Sequence, residues 1–143
     1  MQTIKVRRAT RKDIPELVKI VKGETSIEDY PGEYNKYLFE KMLKDDEIHL
    51  IVAEINKEVV GFNEFSLNKD KALYLESVAV SKKHRGKGIA NLLIEWMENY
   101  AKKNRAKRIT FLVREWNDSM NHLAQKRKYN LKTKLNYWEK TRL

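Results

Sequence analysis

One stretch, Leu73–Ala101, restricts the folds open to this chain more than any other. It begins with Leu73–Val80, where neither alternating set of residues is polar throughout, a pattern typical of a central strand buried on both faces. The basic turn His84–Ala90 follows. From Ile89 onward, apolar residues recur at helical spacing and form one continuous stripe. The sequence therefore predicts a strand, a glycine turn and a helix in direct succession.

The glycine turn has the features of an anion-binding site. Gly86 and Gly88 allow the backbone to approach a ligand closely. The first amides of the following helix lack intrahelical partners and lie at the positive end of the helix dipole, which favours a phosphate group. Two common phosphate-binding patterns are absent: the turn lacks Walker spacing, and Asn91 stands where a Rossmann turn needs its third glycine.

The segment Arg85–Ala90 resembles the acyl-CoA-binding motif of the GNAT family of N-acetyltransferases, which is Arg or Gln, two residues, Gly, one residue, and Gly or Ala. Its place between a buried strand and an amphipathic helix makes the resemblance specific. The resemblance implies acetyl-CoA (CoA) as cofactor, with the pantetheine bound by strand backbone and the pyrophosphate by amides of the turn. The implied cofactor-binding residues are Val78, Ala79, Val80, Arg85, Gly86, Lys87, Gly88, Ile89, Ala90 and Asn117.

Periodicity over the rest of the chain predicts a single-domain α/β (α+β) fold across residues 1–143. The element order, β-α-α-β-β-β-α-β-α-β, is that of the GNAT fold. The resemblance implies a mixed, mostly antiparallel sheet of six or seven strands, flanked by helices and splayed at the central parallel pair. The expected further elements are strands at Thr3–Arg8, His49–Ile55, Val59–Leu67 and Arg108–Val113, helices around Ile14–Val21, Tyr34–Met42 and Met120–Ala124, and one or two strands in Leu131–Leu143.

Composition excludes several kinds of chemistry. The chain has no cysteine, which removes disulfides, thiolate metal sites and a cysteine-bound acyl intermediate. Its three histidines are scattered, so we expect no metal site. No apolar run approaches the roughly 20 residues of a membrane span, and the N-terminus lacks a signal-peptide core, so we expect a cytoplasmic protein that does not enter the membrane.

The net charge of +10 is concentrated at one end, because residues 101–143 contain 13 Lys or Arg against 3 Asp or Glu. A solvated basic face explains this charge, and no basic and aromatic pattern of a nucleic-acid module accompanies it. We therefore expect no nucleic-acid partner, although ribosome or RNA association is the alternative. A homodimer is compatible with the sequence.

Glu76 is the candidate catalytic base. A carboxylate inside a central strand is costly to bury unless it is used or paired, and burial would raise its pKa toward a working value. Many members of the GNAT family have a carboxylate at this place. The alternative is a structural pair with a nearby cation such as Arg114.

The sequence departs from the family pattern at the position of the general acid, the group that protonates the leaving thiolate. Over Asn117–Tyr129 the chain resembles the last family helix, but Ala124 occupies the usual tyrosine position and Lys128 the usual glycine position. Alanine cannot donate a proton, so the leaving thiolate needs another acid, and the nearest candidates in sequence are His122, Tyr129 and Tyr137. Asn117 has a second interpretation, as a helix N-cap. A family member that binds acetyl-CoA for regulation or with weak catalysis is the alternative.

The resemblance implies an acetyl-CoA-dependent N-acetyltransferase that acts on a primary amine by direct transfer in a ternary complex. Tyr74–Glu76 and Phe111–Asn117 resemble the diamine and polyamine acetyltransferase branch. A small amine, a peptide N-terminus and a lysine side chain all stay open as acceptors. The acidic residues Glu24, Glu28, Asp29 and Glu33 would attract a cationic acceptor, or they lie in an ordinary exposed loop and helix start.

Overall fold

The computed structural model describes residues 3–23 and 34–142. These residues group into two compact units, one extending to Leu112 and the other beginning at Val113. That they form one domain stays a prediction. The elements are β1 (Ile4–Arg8), α1 (Ile14–Lys22), α2 (Lys36–Lys44), β2 (Ile48–Ile55), β3 (Glu58–Leu67), β4 (Ala72–Val80), α3 (Ile89–Lys103) and β5 (Arg108–Thr110) in the first unit, and α4 (Asp118–Lys126) in the second.

The sheet of the first unit has the order β1-β2-β3-β4-β5. Neighbouring strands are antiparallel from β1 to β4, whereas β4 and β5 are parallel. The mixed, mostly antiparallel sheet is therefore confirmed. β3 is the middle strand and is buried on both faces, whereas β4 alternates between buried and partly exposed residues. β4 has a strand on each side along 73–74, but the prediction that it is buried on both faces was wrong, because alternate residues of β4 remain partly exposed.

The predicted count of six or seven strands was too high, since the described residues contain five. Residues 131–142 form no strand, and their large apolar side chains are exposed, Trp138 by 86%. Alternating apolar residues give a segment strand propensity, but a strand also needs a partner with free backbone groups. Within the part of the chain that the structure describes, this segment pairs with no strand.

Two helical layers cover the sheet of the first unit. Helices α1 and α2 pack on one face, through a core built around Leu17, Phe39 and Phe62. Helix α3 packs on the other face, where the side-chain Nδ2 of Asn63 donates to the backbone carbonyl of Leu93 at 3.1 Å. Because side chains alternate along a strand, consecutive residues of β3 enter the two layers in turn.

The start of α1 is fixed by an ionic cluster. Thr10 and Asp13 form a capping box, and the Thr10 amide donates to Asp13 Oδ2 at 2.7 Å. Arg7 on β1 donates to both oxygens of Asp13, at 2.8 and 2.9 Å, and to Glu54 on β2. Burial opposes the ionised form of Asp13, but the hydrogen bonds from Arg7 and Thr10 outweigh it and lower the pKa of this carboxyl.

The first turn of α3 packs closely against the backbone of β3 at Gly61. A Cβ atom added at Gly61 would lie 3.0 Å from the carbonyl oxygen of Ala79 and 3.2 Å from Cγ2 of Ile89. Both neighbours belong to elements that flank the glycine turn. The missing side chain therefore sets how closely the first turn of α3 approaches the sheet.

We expect Gly61→Ala to lower the free energy of unfolding by about 1–3 kcal/mol, because the methyl group overpacks this contact. Urea denaturation measures the loss. Gly23→Ala is the matched control, since the nearest atom to a Cβ there is 3.7 Å away and its φ is −91°. Equal stability of the two variants would contradict the close approach at Gly61.

Candidate functional site

A β-bulge marks the middle of β4. Glu64 lies opposite Ser77, but the next residue of β3, Phe65, lies opposite Leu75. Glu76 is therefore the extra residue of β4, without a partner position on β3. Its side chain is exposed, which contradicts the expectation that Glu76 is buried. A bulge residue is outside the regular alternation that the sequence pattern assumed. Its catalytic role stays a prediction.

Beyond Tyr74, the outer edge of β4 is open. The parallel ladder consists of Ala72 with Arg108, Leu73 with Ile109 and Tyr74 with Thr110. Within the described residues no strand continues this ladder along 75–80. The predicted splay after the parallel pair is therefore present, and it leaves an edge where an extended ligand can lie.

Val78 and Val80 direct their backbone groups toward this open edge. The amide of Ser81 donates to the carbonyl of Val60 at 2.8 Å, so these two residues form a hydrogen-bonded pair of the β3–β4 ladder. Such pairs alternate with pairs whose N–H and C=O groups point away from each other. Val80 and Val78 occupy the outward-pointing positions, whereas Ala79 contributes to the core on the α1 and α2 face.

The turn after β4 leads from this edge to the N-terminus of α3. Gly86 and Gly88 have φ values of +77° and +79°, in the left-handed region that favours glycine. Gly88 is the N-cap of α3, and none of the described side chains caps the helix there. The first turn of α3 contains no acidic residue. The amides of Ile89 and Ala90 are thus placed to bind an anion.

Basic side chains surround the turn. Arg85 folds back so that its Nε donates to the carbonyl of Val80 at 3.1 Å, and Lys87 is exposed. The hydroxyl of Ser81 lies 2.7 Å from Nδ1 of His84 and fixes the start of the turn. A pocket of about 270 Å³ adjoins it, lined by Lys19, Ile20, Gly23, Val80, Ser81, Lys82, Lys83 and Arg85. The positive charge complements a phosphorylated ligand.

A buried carboxyl group in this unit was not predicted from the sequence. Glu64 on β3 is only 7% exposed, and the Tyr34 hydroxyl donates to its Oε2 at 3.1 Å. The same hydroxyl lies 3.1 Å from Oγ of Ser77, which is 3.5 Å from the carboxylate. A signal was present, since Glu64 interrupts the apolar run of Val59–Leu67. The sequence did not reveal which helices would cover it.

Burial raises the pKa of Glu64 to about 7. The negative charge of Glu76 acts in the same direction, whereas the hydrogen bonds from Tyr34 and Ser77 act in the opposite direction by stabilising the carboxylate. Burial and the adjacent Glu64 raise the pKa of Tyr34 as well, so its hydroxyl keeps its proton. Glu64 therefore exchanges a proton near neutral pH, and Tyr34 remains a hydrogen-bond donor.

The second unit contains the remaining predicted site residues. Asn117 caps α4, because its Oδ1 accepts from the Met120 amide at 3.2 Å, as the alternative interpretation expected. Its contact with the cofactor stays a prediction. His122 is exposed and Tyr129 is half-buried, and their proposed roles are not tested by this placement. Lys128, at the position where the family pattern has glycine, has a φ of +69°, in the left-handed region that favours glycine.

Glu24, Glu28, Asp29 and Glu33 lie outside the described residues. Among residues 3–23 and 34–142, no group of His, Asp or Glu side chains could hold a metal ion. No helix in the same residues has the length and apolarity needed to cross a membrane.

Comparison with known proteins identifies the family. Residues 14–129 match the family model described as Acetyltransferase (GNAT) family. The chain is 32% identical over 108 residues to an uncharacterized N-acetyltransferase of Archaeoglobus fulgidus, an alignment that covers 68% of this chain and 74% of that protein. The chain belongs to the GNAT family. The predicted enzyme class, an acetyl-CoA-dependent N-acetyltransferase, is confirmed at the level of this family.

Solved structures share the fold. The aminoglycoside N-acetyltransferase AAC(6')-Iy in complex with CoA has a TM-score of 0.81 and 15% identity, and covers 98% of this chain and 96% of its own. The paia N-acetyltransferase from Thermoplasma acidophilum, in complex with coenzyme A, has a TM-score of 0.81 and 16% identity, with 91% of each chain covered. At this identity the similarity concerns the fold, and it does not distinguish the diamine and polyamine branch.

We expect Gly88→Asp to weaken acetyl-CoA binding at least about tenfold more than Gly88→Asn does. Both side chains tolerate a left-handed backbone and have the same shape, but only aspartate adds a negative charge at the N-terminus of α3. Calorimetric titration with acetyl-CoA compares the two affinities, where about 1.4 kcal/mol corresponds to tenfold. Indistinguishable affinities would argue against a phosphate site at this turn.

Proposed function

We propose that this chain transfers the acetyl group of acetyl-CoA directly to a primary amine in a ternary complex. The observation that carries the proposal is the open edge of β4, where Val78 and Val80 present backbone groups and from which the glycine turn leads to α3. The pantetheine would bond to this edge, and amides at Gly88–Ala90 would bind the pyrophosphate. Bound acetyl-CoA would supply the activated acetyl group.

Direct transfer is favoured by the residues available. With no cysteine in the chain, no thiol can carry the acetyl group between the two substrates. An amine is protonated at neutral pH and must lose a proton before it attacks the thioester. Glu76 is the sequence-based candidate for this step. Glu64 and Glu76 together favour an acceptor that approaches as a cation.

The acceptor class is proposed as a small molecule with one or more primary amines. The two carboxylates support this class, as does the fold shared with an aminoglycoside N-acetyltransferase. A peptide N-terminus and a lysine side chain remain acceptors to be tested. A second candidate function, acetyl-CoA binding without efficient transfer, is supported by Ala124 at the position where family members carry a tyrosine.

We expect thiol release from acetyl-CoA when the protein is mixed with a panel of diamines, polyamines, aminoglycosides and lysine peptides. Initial rates measured against both substrates should give intersecting double-reciprocal lines, because both substrates are bound before transfer. Parallel lines would indicate an acyl-enzyme instead. Saturable acetyl-CoA binding with no release for any amine would favour the binding protein.

We propose Tyr129 or His122 as the acid that protonates the leaving thiolate. If Tyr129 has this role, Tyr129→Phe lowers kcat by about 10²–10⁴, the usual effect of a positioned acid, and if His122 has it, His122→Gln does so. Tyr37→Phe is the control, since Tyr37 is 78% exposed on α2. Full kcat in both test variants would assign the proton to water or to Tyr137.

A further inference from the structure

Glu64 lies on β3, next to the strand whose outer edge is the proposed pantetheine site. Its neighbour across the ladder is Ser77, and the next residue of β4 is Val78, whose backbone groups face the open edge. Because paired residues share a face, the side chains of Glu64 and Ser77 both point to the layer that contains Tyr34. Glu64 is thus one strand away from the proposed pantetheine edge, on the face covered by α1 and α2.

Glu64 and Glu76 differ in how firmly they are held. Glu64 is buried and receives a hydrogen bond from Tyr34, with Ser77 nearby, so its carboxylate has a defined position. Glu76 is the exposed residue of the bulge. A proton acceptor acts on the reacting nitrogen directly or through one water, and a carboxylate already held in one position needs less ordering for that task than an exposed one.

We propose that Glu64, positioned by Tyr34, is the catalytic base that receives the proton of the acceptor amine, an inference that rests on the proposed acetyl transfer. The protonated amine gives one proton to Glu64, and its nitrogen forms the C–N bond as the C–S bond breaks. The acid proposed above protonates the thiolate, and the second proton lost by nitrogen restores that acid. Glu64 then releases its proton to solvent, so that the products are the amide, CoA and one proton.

The electrostatic surroundings of Glu64 make its titration testable. Among the described residues, the titratable groups that act on it are Tyr34, which precedes α2, and Glu76 on β4. Leu50 lies opposite on β2, and α1 contributes the apolar side chains of Leu17 and Val21 to the same core. Because Tyr34 stabilises the carboxylate and Glu76 opposes it, removing each group should move the titration in opposite directions.

The first measurement is the rate with the best amine of the panel. We expect Glu64→Gln to lower kcat by about 10²–10⁴ while acetyl-CoA affinity in calorimetry is unchanged, because the cofactor contacts come from β4 and the turn. Glu95→Gln, an exposed carboxylate on α3, is the matched control and should keep the wild-type rate. A Glu64→Gln enzyme with the wild-type rate overturns the inference and leaves acetyl transfer standing.

The pH profile of kcat/KM provides the second measurement. The wild-type profile should have an acid limb near the pKa of Glu64, about 7, because only the carboxylate accepts a proton. Glu76→Gln should move this limb to lower pH and Tyr34→Phe should move it to higher pH. Limbs that stay fixed in both variants, or that move the other way, would overturn the assignment.

Thermal unfolding separates a catalytic role from a structural one. The pKa of Glu64 is higher in the folded protein than the ordinary value of a glutamate carboxyl, 4.5, so the stability contributed by its neutral form is complete below pH 4.5 and is lost as pH rises through about 7. The glutamine of Glu64→Gln stays neutral at every pH. The melting temperature of this variant, relative to that of the wild type, should therefore increase between about pH 5 and about pH 8. A lower melting temperature at every pH, with catalysis intact, would make Glu64 structural.

If the wild type transfers acetyl to no amine, the proposed function fails and this inference with it.

Discussion

The short parallel ladder between β4 and β5 is the constraint on which the site depends. It pairs only three residues of β4, and along the rest of that strand no described strand bonds to the outward backbone groups, although the Val80 carbonyl accepts from Arg85 Nε. A longer ladder would satisfy those groups within the protein and leave nothing for an extended ligand to bind. The antiparallel ladder with β3 on the other side keeps β4 in place, so the open edge is supported by the middle of the sheet.

The bulge at Glu76 links this edge to the buried carboxyl group. One extra residue on β4 changes which side chains face the layer of α1 and α2, and it places Ser77 opposite Glu64. Glu64 would otherwise be a costly charge in an apolar layer. Tyr34 and Ser77 supply polar contacts that stabilise the carboxylate. Burial has the larger effect and raises the pKa of the carboxyl to about 7. Stability and proton transfer therefore have opposite requirements at this residue.

Periodic features of the sequence predicted most of the fold. The features that were not predicted depend on pairing between segments that are distant in sequence. The glycine turn and the apolar stripe of α3 depend on neighbours in sequence, and both formed as predicted. The exposure of Glu76 depends on a register shift against β3, and the burial of Glu64 on Tyr34, thirty positions away. The alternating residues of 131–142 show that propensity without a partner edge does not make a strand.

The backbone angles of Gly86 and Gly88 also determine which residue chirality the turn favours. A Cβ atom of the natural hand would meet nothing within 4 Å at either position, so space is not what excludes a side chain. The exclusion comes from the left-handed backbone alone, which L-residues adopt only at a cost of about 1–2 kcal/mol. A D-amino acid has the mirror-image preference and would suit these angles. By its backbone angles, the turn therefore favours a D-residue, which would stiffen the loop in the conformation that it already has.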